Sequence, residues 1–220
     1  MKYNYMKNPK RITFMIIIIF LCTSLWLLSS AGWIQAKAII AQQLLNHSWN
    51  LTLKHSGKNK PWPWADTWPV AKLTVPYQDI EQIVLAGDSG SSLAFGPGYS
   101  LASAAPNTTG TTVISGHRDT HFQFLQKLKI DDKLTLQTNA KKVDYQIYDR
   151  IVVSSKEYTI QTETDLQTLI LVTCYPFNTI STGGPLRYLV FARPLINDTI
   201  NQHSSIQMIM EPESTNIASL

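Results

Sequence analysis

Cysteine is almost absent from this 220-residue chain, which has two, Cys22 and Cys174. Cys22 lies inside a long apolar run and reads as a filler with no redox role. Cys174 therefore has no partner outside that run, which excludes a disulfide framework and leaves an unpaired thiol to explain. Acid is absent from residues 1–11, where Lys2, Lys7, Lys10 and Arg11 carry the whole net charge of +4. Beyond them bases and acids balance, so a basic face for nucleic acid is not suggested. There is no internal repeat. Gly87 to Gly98 lacks the spacing and following helix of a phosphate-cradling loop. His117 and His121 lack the further ligands of a closed zinc shell, and the scattered acids form no calcium loop. The sequence predicts a reaction without metal or cofactor.

What is present is apolar and aromatic: 44% hydrophobic residues with 6 Trp, 9 Tyr and 7 Phe, which rules out a wholly disordered chain. Ile12 to Ala31 carries no charged side chain, and about 20 residues is what a helix needs to cross a bilayer. Basic residues before the run predict the N-terminus inside and the bulk of the chain outside the cytoplasmic (inner) membrane. Ala36-Lys37-Ala38 is compatible with signal-peptide cleavage. A secretory apolar region is usually about 7 to 15 residues, so the length favours an uncleaved single-pass anchor.

From Gly32 to Lys54, the spacing of Ile34, Ala38, Ala41 and Leu45 predicts a stalk helix with one apolar face. Ser56 to Lys60 breaks it, and Pro61, Pro63 and Pro69 exclude regular structure in PWPWADTWP. Trp62, Trp64 and Trp68 are expected to lie against the domain surface as packing rather than as a ligand platform. Short strands follow: Ala71 to Pro76, Gln82 to Ala86, Thr111 to Ser115, Lys133 to Thr138, Val143 to Val153, Thr168 to Thr173 and Arg187 to Ala192, with one helical turn at Phe122 to Leu128. Many short strands with little helix between them predict an all-β closed sheet or sandwich. The tail from Ile196 to Leu220 is expected to be weakly ordered.

Three chemical groups stand at strand edges. Cys174 ends the apolar run of LILVTCYPF, His117 follows that of VISGHRDTHF, and Arg187 opens RYLVFA. A free thiol, with a pKa of about 8.5, is mostly unreactive at neutral pH, and a neighbouring cation raises its thiolate fraction. An imidazole can protonate a departing amine and deprotonate an incoming one. Arg187 shares a strand face with Leu189 and Phe191, so its cation needs a partner there: a developing oxyanion, a peptide carbonyl or a structural carboxylate. His121 is a weaker candidate, Arg118 and Asp119 are expected to pair with each other, and His47, His55 and His203 carry no chemical signal.

The combination of SGH at Ser115 to His117, LVTCYPF at Leu171 to Phe177 and GGPLRYLVFA at Gly183 to Ala192 resembles the sortases, membrane-anchored cysteine transpeptidases. With GHRDTHF and PWPWADTWPVAKL it is most similar to the Gram-negative branch, class GN or marine proteobacterial sortases. The resemblance covers roughly Pro61 to Pro194. It implies an eight-stranded closed β-barrel with Cys174 as nucleophile, His117 as acid/base and Arg187 as binder of an oxyanion or substrate carbonyl. The implied substrate is a secreted protein ending in an LPXTG-like sorting signal, cut between Thr and Gly to give a thioester that an amine acceptor resolves. No acidic cluster suits calcium activation. Asn178, Ser181, Thr182, Gly183 and Gly184 form a loop able to close over substrate. The implied organisation is 1–11 cytoplasmic, 12–31 transmembrane, 32–69 stalk and linker, 70–195 catalytic barrel, and 196–220 tail. Two other classes stay open. One is another envelope cysteine enzyme such as an L,D-transpeptidase, although its Ser-x-Gly-Cys-x-Arg run is missing. The other is a non-enzymatic anchored barrel.

Overall fold

The computed structural model describes residues 9–179 and 183–195. Ser181 and Thr182 of the expected closing loop, and the tail from Ile196, lie outside them. The chain divides into two units, Met1–Pro69 and Val70–Leu220.

The first unit is built on α1, Pro9–Lys54, a single helix of 46 residues. At about 1.5 Å per residue it is roughly 69 Å long. Its apolar part is long and apolar enough to span a bilayer, and none of it is buried. Polar side chains there satisfy themselves within the helix: Thr23 donates to the carbonyls of Ile19 and Phe20, Ser24 to Phe20 and Ser30 to Leu27. Such back-bonding removes the need for water. The sequence placed a membrane segment and a separate stalk, whereas α1 runs through Gly32 without a break. A glycine lowers helix propensity by about 1 kcal/mol, too little to end a helix with long good formers on both sides.

The stalk face is buried only at its lower end. Leu45, Ser48, Trp49 and Thr52 are buried at helical spacing, while Ala41 is half-buried and Ala38 exposed. The chain after the helix folds back on these turns: Ser48 Oγ donates to the Asn59 carbonyl, and Asn59 Nδ2 donates to Thr52 Oγ1 (3.3 Å) and the His55 carbonyl (3.1 Å). Lys58 Nζ stands 4.5 Å over the Trp68 ring. Trp64 is 80% exposed, against the expectation that all three tryptophans pack.

The second unit is a closed barrel. Its strands are β1 (Pro69–Val75), β2 (Ile80–Ala86), β3 (Gly98–Tyr99), β4 (Gly110–Ser115), β5 (Lys133–Gln137), β6 (Lys142–Ser154), β7 (Gln167–Cys174) and β8 (Leu186–Pro194), in spatial order β1-β2-β3-β4-β7-β8-β6-β5. β2 with β3 and β4 with β7 are parallel pairs, and β7 with β8 is antiparallel. β3 has two residues, too few to show a pattern in sequence. A short helix, α2 (Gly90–Leu93), precedes it, and the expected turn after His117 is a 3₁₀ helix over Gln123–Lys127.

Alternation decides what faces inward. From β1 Ala71, Leu73 and Val75 enter the core, from β7 Leu169 and Leu171, and from β8 Val190 and Ala192; Phe122, Phe124, Leu125 and Leu128 join them. On β7 the opposite, outward set is Ile170, Val172 and Cys174, and on β8 it is Arg187, Leu189 and Phe191.

One polar knot sits among these side chains. Asn107 is fully buried, with φ of 64°. Its Nδ2 donates to the carbonyls of Leu136 (2.9 Å) and Lys141 (3.3 Å), and its Oδ1 accepts from the Tyr145 hydroxyl (2.9 Å), which itself accepts from Gln167 Nε2 (2.6 Å). Asn107→Ala would orphan buried partners and force alanine into a left-handed backbone, for an expected loss of about 2 kcal/mol or more. Urea unfolding monitored by circular dichroism reads it.

Candidate active site

Parallel pairing of β4 with β7 places Ser115 beside Val172, so both strands end at one edge of the barrel. Two residues past that pair lie His117 on one side and Cys174 on the other. The junction is fastened by two bonds: Gly116 N donates to the Val172 carbonyl (3.0 Å), and the buried Thr173 hydroxyl donates to the Gly116 carbonyl (2.7 Å). Gly116 is needed because a Cβ there would come within 2.6 Å of the Phe122 ring. The His117 carbonyl then accepts from Phe122 N (2.9 Å), curling the loop over the core.

His117 is exposed and Cys174 half-buried, and both line one cavity of about 420 Å³ with Arg118, Asp119, Thr120, Tyr175, Pro176, Thr179, Gly183 and Gly184. The expected thiol and imidazole are thus brought together. Arg187 lies directly opposite Cys174 in the β7–β8 pairing, where antiparallel partners put their Cβ atoms about 5 Å apart on one face. Arg187 is not itself among the lining residues, but its Nη1 donates to the carbonyl of Gly184 (2.6 Å), which is, and to that of Leu186 (2.9 Å). Among the described residues no carboxylate pairs with it. The apolar face it shares with Leu189 and Phe191 is the outer wall of the barrel, so the cation is half-buried rather than thrust into the core.

The chain after Cys174 is held firmly. Tyr175 N donates to the Leu186 carbonyl (3.0 Å). Tyr175, Phe177 and Tyr188 form a three-ring cluster with centroids 5.3–6.3 Å apart, within the range of favourable aromatic pairs. Asn178 closes the turn with φ of 61°.

Arg118 is the residue whose role the sequence understated. It pairs with Asp119 as expected, through Nε to Oδ1 (2.7 Å) and Nη2 to Oδ2 (2.9 Å). It also donates from Nη1 to the Pro176 carbonyl (2.8 Å) and from Nη2 to that of Thr179 (3.0 Å). The available signal was donor number: a guanidinium has five N–H groups, more than one carboxylate uses. Asp119 is held below the usual carboxylate range, first by its bonds to Arg118 and further by the His117 and Arg118 charges.

His121 lies in a neighbouring cavity of about 500 Å³ that includes Tyr77 and Gln82 and shares Thr120 with the first. Its carbonyl accepts from Gln82 Nε2 (2.7 Å). Burial, and then the nearby His117, hold its ring below the ordinary imidazole value of 6.5.

A family model for the sortase domain matches residues 73–195, more than half of the chain. The chain belongs to the sortase family. It is 31% identical over 122 residues to Sortase D of Bacillus subtilis (strain 168), a match covering 55% of this chain and 61% of that relative, or about three fifths of its length. Among solved structures the fold is shared with Sortase A from Corynebacterium diphtheriae (TM-score 0.53, 24% identity, 62% of this chain and 66% of that one). It is also shared with a Clostridium perfringens Sortase D5 transpeptidase (TM-score 0.58, 19% identity, 71% and 98%). The closed eight-stranded barrel is the sortase fold, as the sequence motifs implied.

Two outcomes follow for this sortase. Thr173→Val keeps shape but removes the bond to Gly116, so it should cost about 1 to 2 kcal/mol in chemical denaturation and slow alkylation of Cys174. His121 favours its neutral form when folded, so the stability tied to it is fully present above the ordinary value of 6.5 and is lost as pH falls from there through its lower folded value. His121→Gln should therefore show a smaller drop in thermal midpoint between pH 7.5 and pH 5 than the parent.

Proposed function

We propose that this sortase is a cysteine transpeptidase acting on a C-terminal sorting signal, with Cys174, His117 and Arg187 as its catalytic residues. The observation that carries the reading is the shared cavity of Cys174 and His117, with Arg187 across the β-ladder from the sulfur.

In this reading the Cys174 thiolate attacks the carbonyl carbon of the scissile peptide bond, and the carbonyl oxygen takes up the negative charge of a tetrahedral intermediate. His117, as imidazolium, delivers a proton to the departing amine as the C–N bond breaks, leaving an acyl thioester on Sγ. An incoming amine adds to the thioester carbonyl and gives its proton to His117. The thiolate then leaves, and the new amide is released. Arg187 spends Nη1 on the Gly184 and Leu186 carbonyls. Those bonds aim the guanidinium and keep its Nε and Nη2 hydrogens for the oxyanion or a substrate carbonyl.

The finer assignments rest on the motifs. An LPXTG-like signal on a secreted protein and an amine acceptor are the partners, and GHRDTHF with the PWPWADTWPVAKL lead-in supports the Gram-negative class. Residues 12–31 anchor the chain in the cytoplasmic membrane, supported by the apolar span of α1. The basic Lys10 and Arg11 at its start keep the N-terminus inside and the barrel outside.

The test is mass spectrometry of the purified protein after mixing with an LPXTG-bearing peptide. The parent should gain the mass of the acyl fragment and lose it on adding an amine such as triglycine. Cys174→Ala should show neither, and His117→Ala should turn over about a thousandfold more slowly or worse. Arg187→Ala should lose about 10² to 10³ in kcat, as removal of an oxyanion donor does. Transpeptidation that persists in Cys174→Ala, or turnover of muropeptides alone, overturns the reading.

A further inference from the structure

Arg118 follows His117 directly and is 6% exposed, its surface covered by the two loops of the site rather than sunk deep in the core. Its four hydrogen bonds reach three partners on both sides of the cavity: Asp119 twice, on the His117 loop, and the carbonyls of Pro176 and Thr179, two and five residues past Cys174. A bond from a cation to a carbonyl is roughly twice as strong as a neutral one. The planar fork of arginine can serve a carboxylate and two carbonyls together, whereas a lysine ammonium cannot reproduce that geometry.

We propose that Arg118 is a positioning residue that fixes His117 against Cys174 by clamping the Pro176–Thr179 turn to the His117 loop. The inference deepens the transpeptidase reading of the same site and rests on it. The Thr173–Gly116 bond fastens the strand ends on the core side. Arg118 fastens the loops that continue from them, so along each strand end one attachment precedes the reacting group and the other follows it. An imidazole displaced by about 1 Å from its proton-transfer position can cost up to about a hundredfold in rate. The clamp also places a permanent cation on the cavity that the sulfur lines. The guanidinium is held in its charged form chiefly by the hydrogen bond to Asp119, and further by that carboxylate's charge.

The test uses the full chain in a Cys22→Ala background, so that iodoacetamide reports Cys174 alone, with Arg118→Lys and Arg118→Met compared in two readouts. In single-turnover acylation by an LPXTG-bearing peptide, Arg118→Lys should lose about tenfold in rate at saturation with half-saturation within about twofold of the parent, the split expected of misplaced machinery. Because lysine keeps the charge, its alkylation rate at pH 7 should stay within about twofold of the parent, while Arg118→Met should slow about threefold or more. Circular dichroism gives the folded fraction to which all rates are normalised. Unchanged acylation in both variants, or losses that vanish on normalisation, overturns the clamp. A parent inert to the peptide rejects the transpeptidase reading; urea unfolding then decides the clamp, since equal stability of the parent and Arg118→Met, which lacks the bonds to Pro176 and Thr179, overturns it.

Discussion

The parallel register of β4 and β7 is the constraint on which the site depends. Two strands that run the same way, paired Ser115 to Val172, must finish together, and the residues two steps beyond that pair are His117 and Cys174. Parallel neighbours cannot be joined by a tight hairpin. Everything between them in sequence, including β5, β6 and the 3₁₀ turn over Gln123–Lys127, is the connection that brings β7 back alongside β4. β8 then returns antiparallel to β7 and sets Arg187 opposite the sulfur. Three residues separated by up to 70 positions are thus gathered by ladder geometry, and a register slip would separate them.

Alternation within β7 divides its labour. Leu169, Leu171 and Thr173 point inward, the first two into the apolar core and the third into a hydrogen bond under the His117 loop. Ile170, Val172 and Cys174 take the opposite face, so the thiol stands half-buried on the cavity it shares with His117. A thiol buried inside would have been inert packing. The aromatic cluster of Tyr175, Phe177 and Tyr188 and the Arg118 bond to the Pro176 carbonyl hold the loop that emerges after Cys174.

Much of this was readable before any coordinates. β4, β7 and β8 have strong β-branched and apolar runs whose ends carry Cys174, His117 and Arg187, so the strands could be anticipated from composition and the meeting of Cys174 with His117 from the family resemblance. The unread parts have physical reasons. β3 is a pair of residues whose ladder partners, not its own composition, make it a strand. The continuity of α1 through Gly32 depends on propensity summed over both flanks, which a single glycine does not report. The direction of the Arg187 guanidinium and the reach of Arg118 depend on backbone carbonyls, which carry no side-chain signature. Trp64 shows the reverse error, since an aromatic residue between prolines looks like packing and stands in solvent.

The closeness of Gly116 to the Phe122 ring makes these two positions a single steric choice. One side has no atom to give up and the other fills the space completely, so a drift at either would have to be answered at its mate. Sequences of relatives should accordingly show a bulkier 116 only alongside a reduced 122, a covariation that arises beneath the imidazole loop without involving any reacting group.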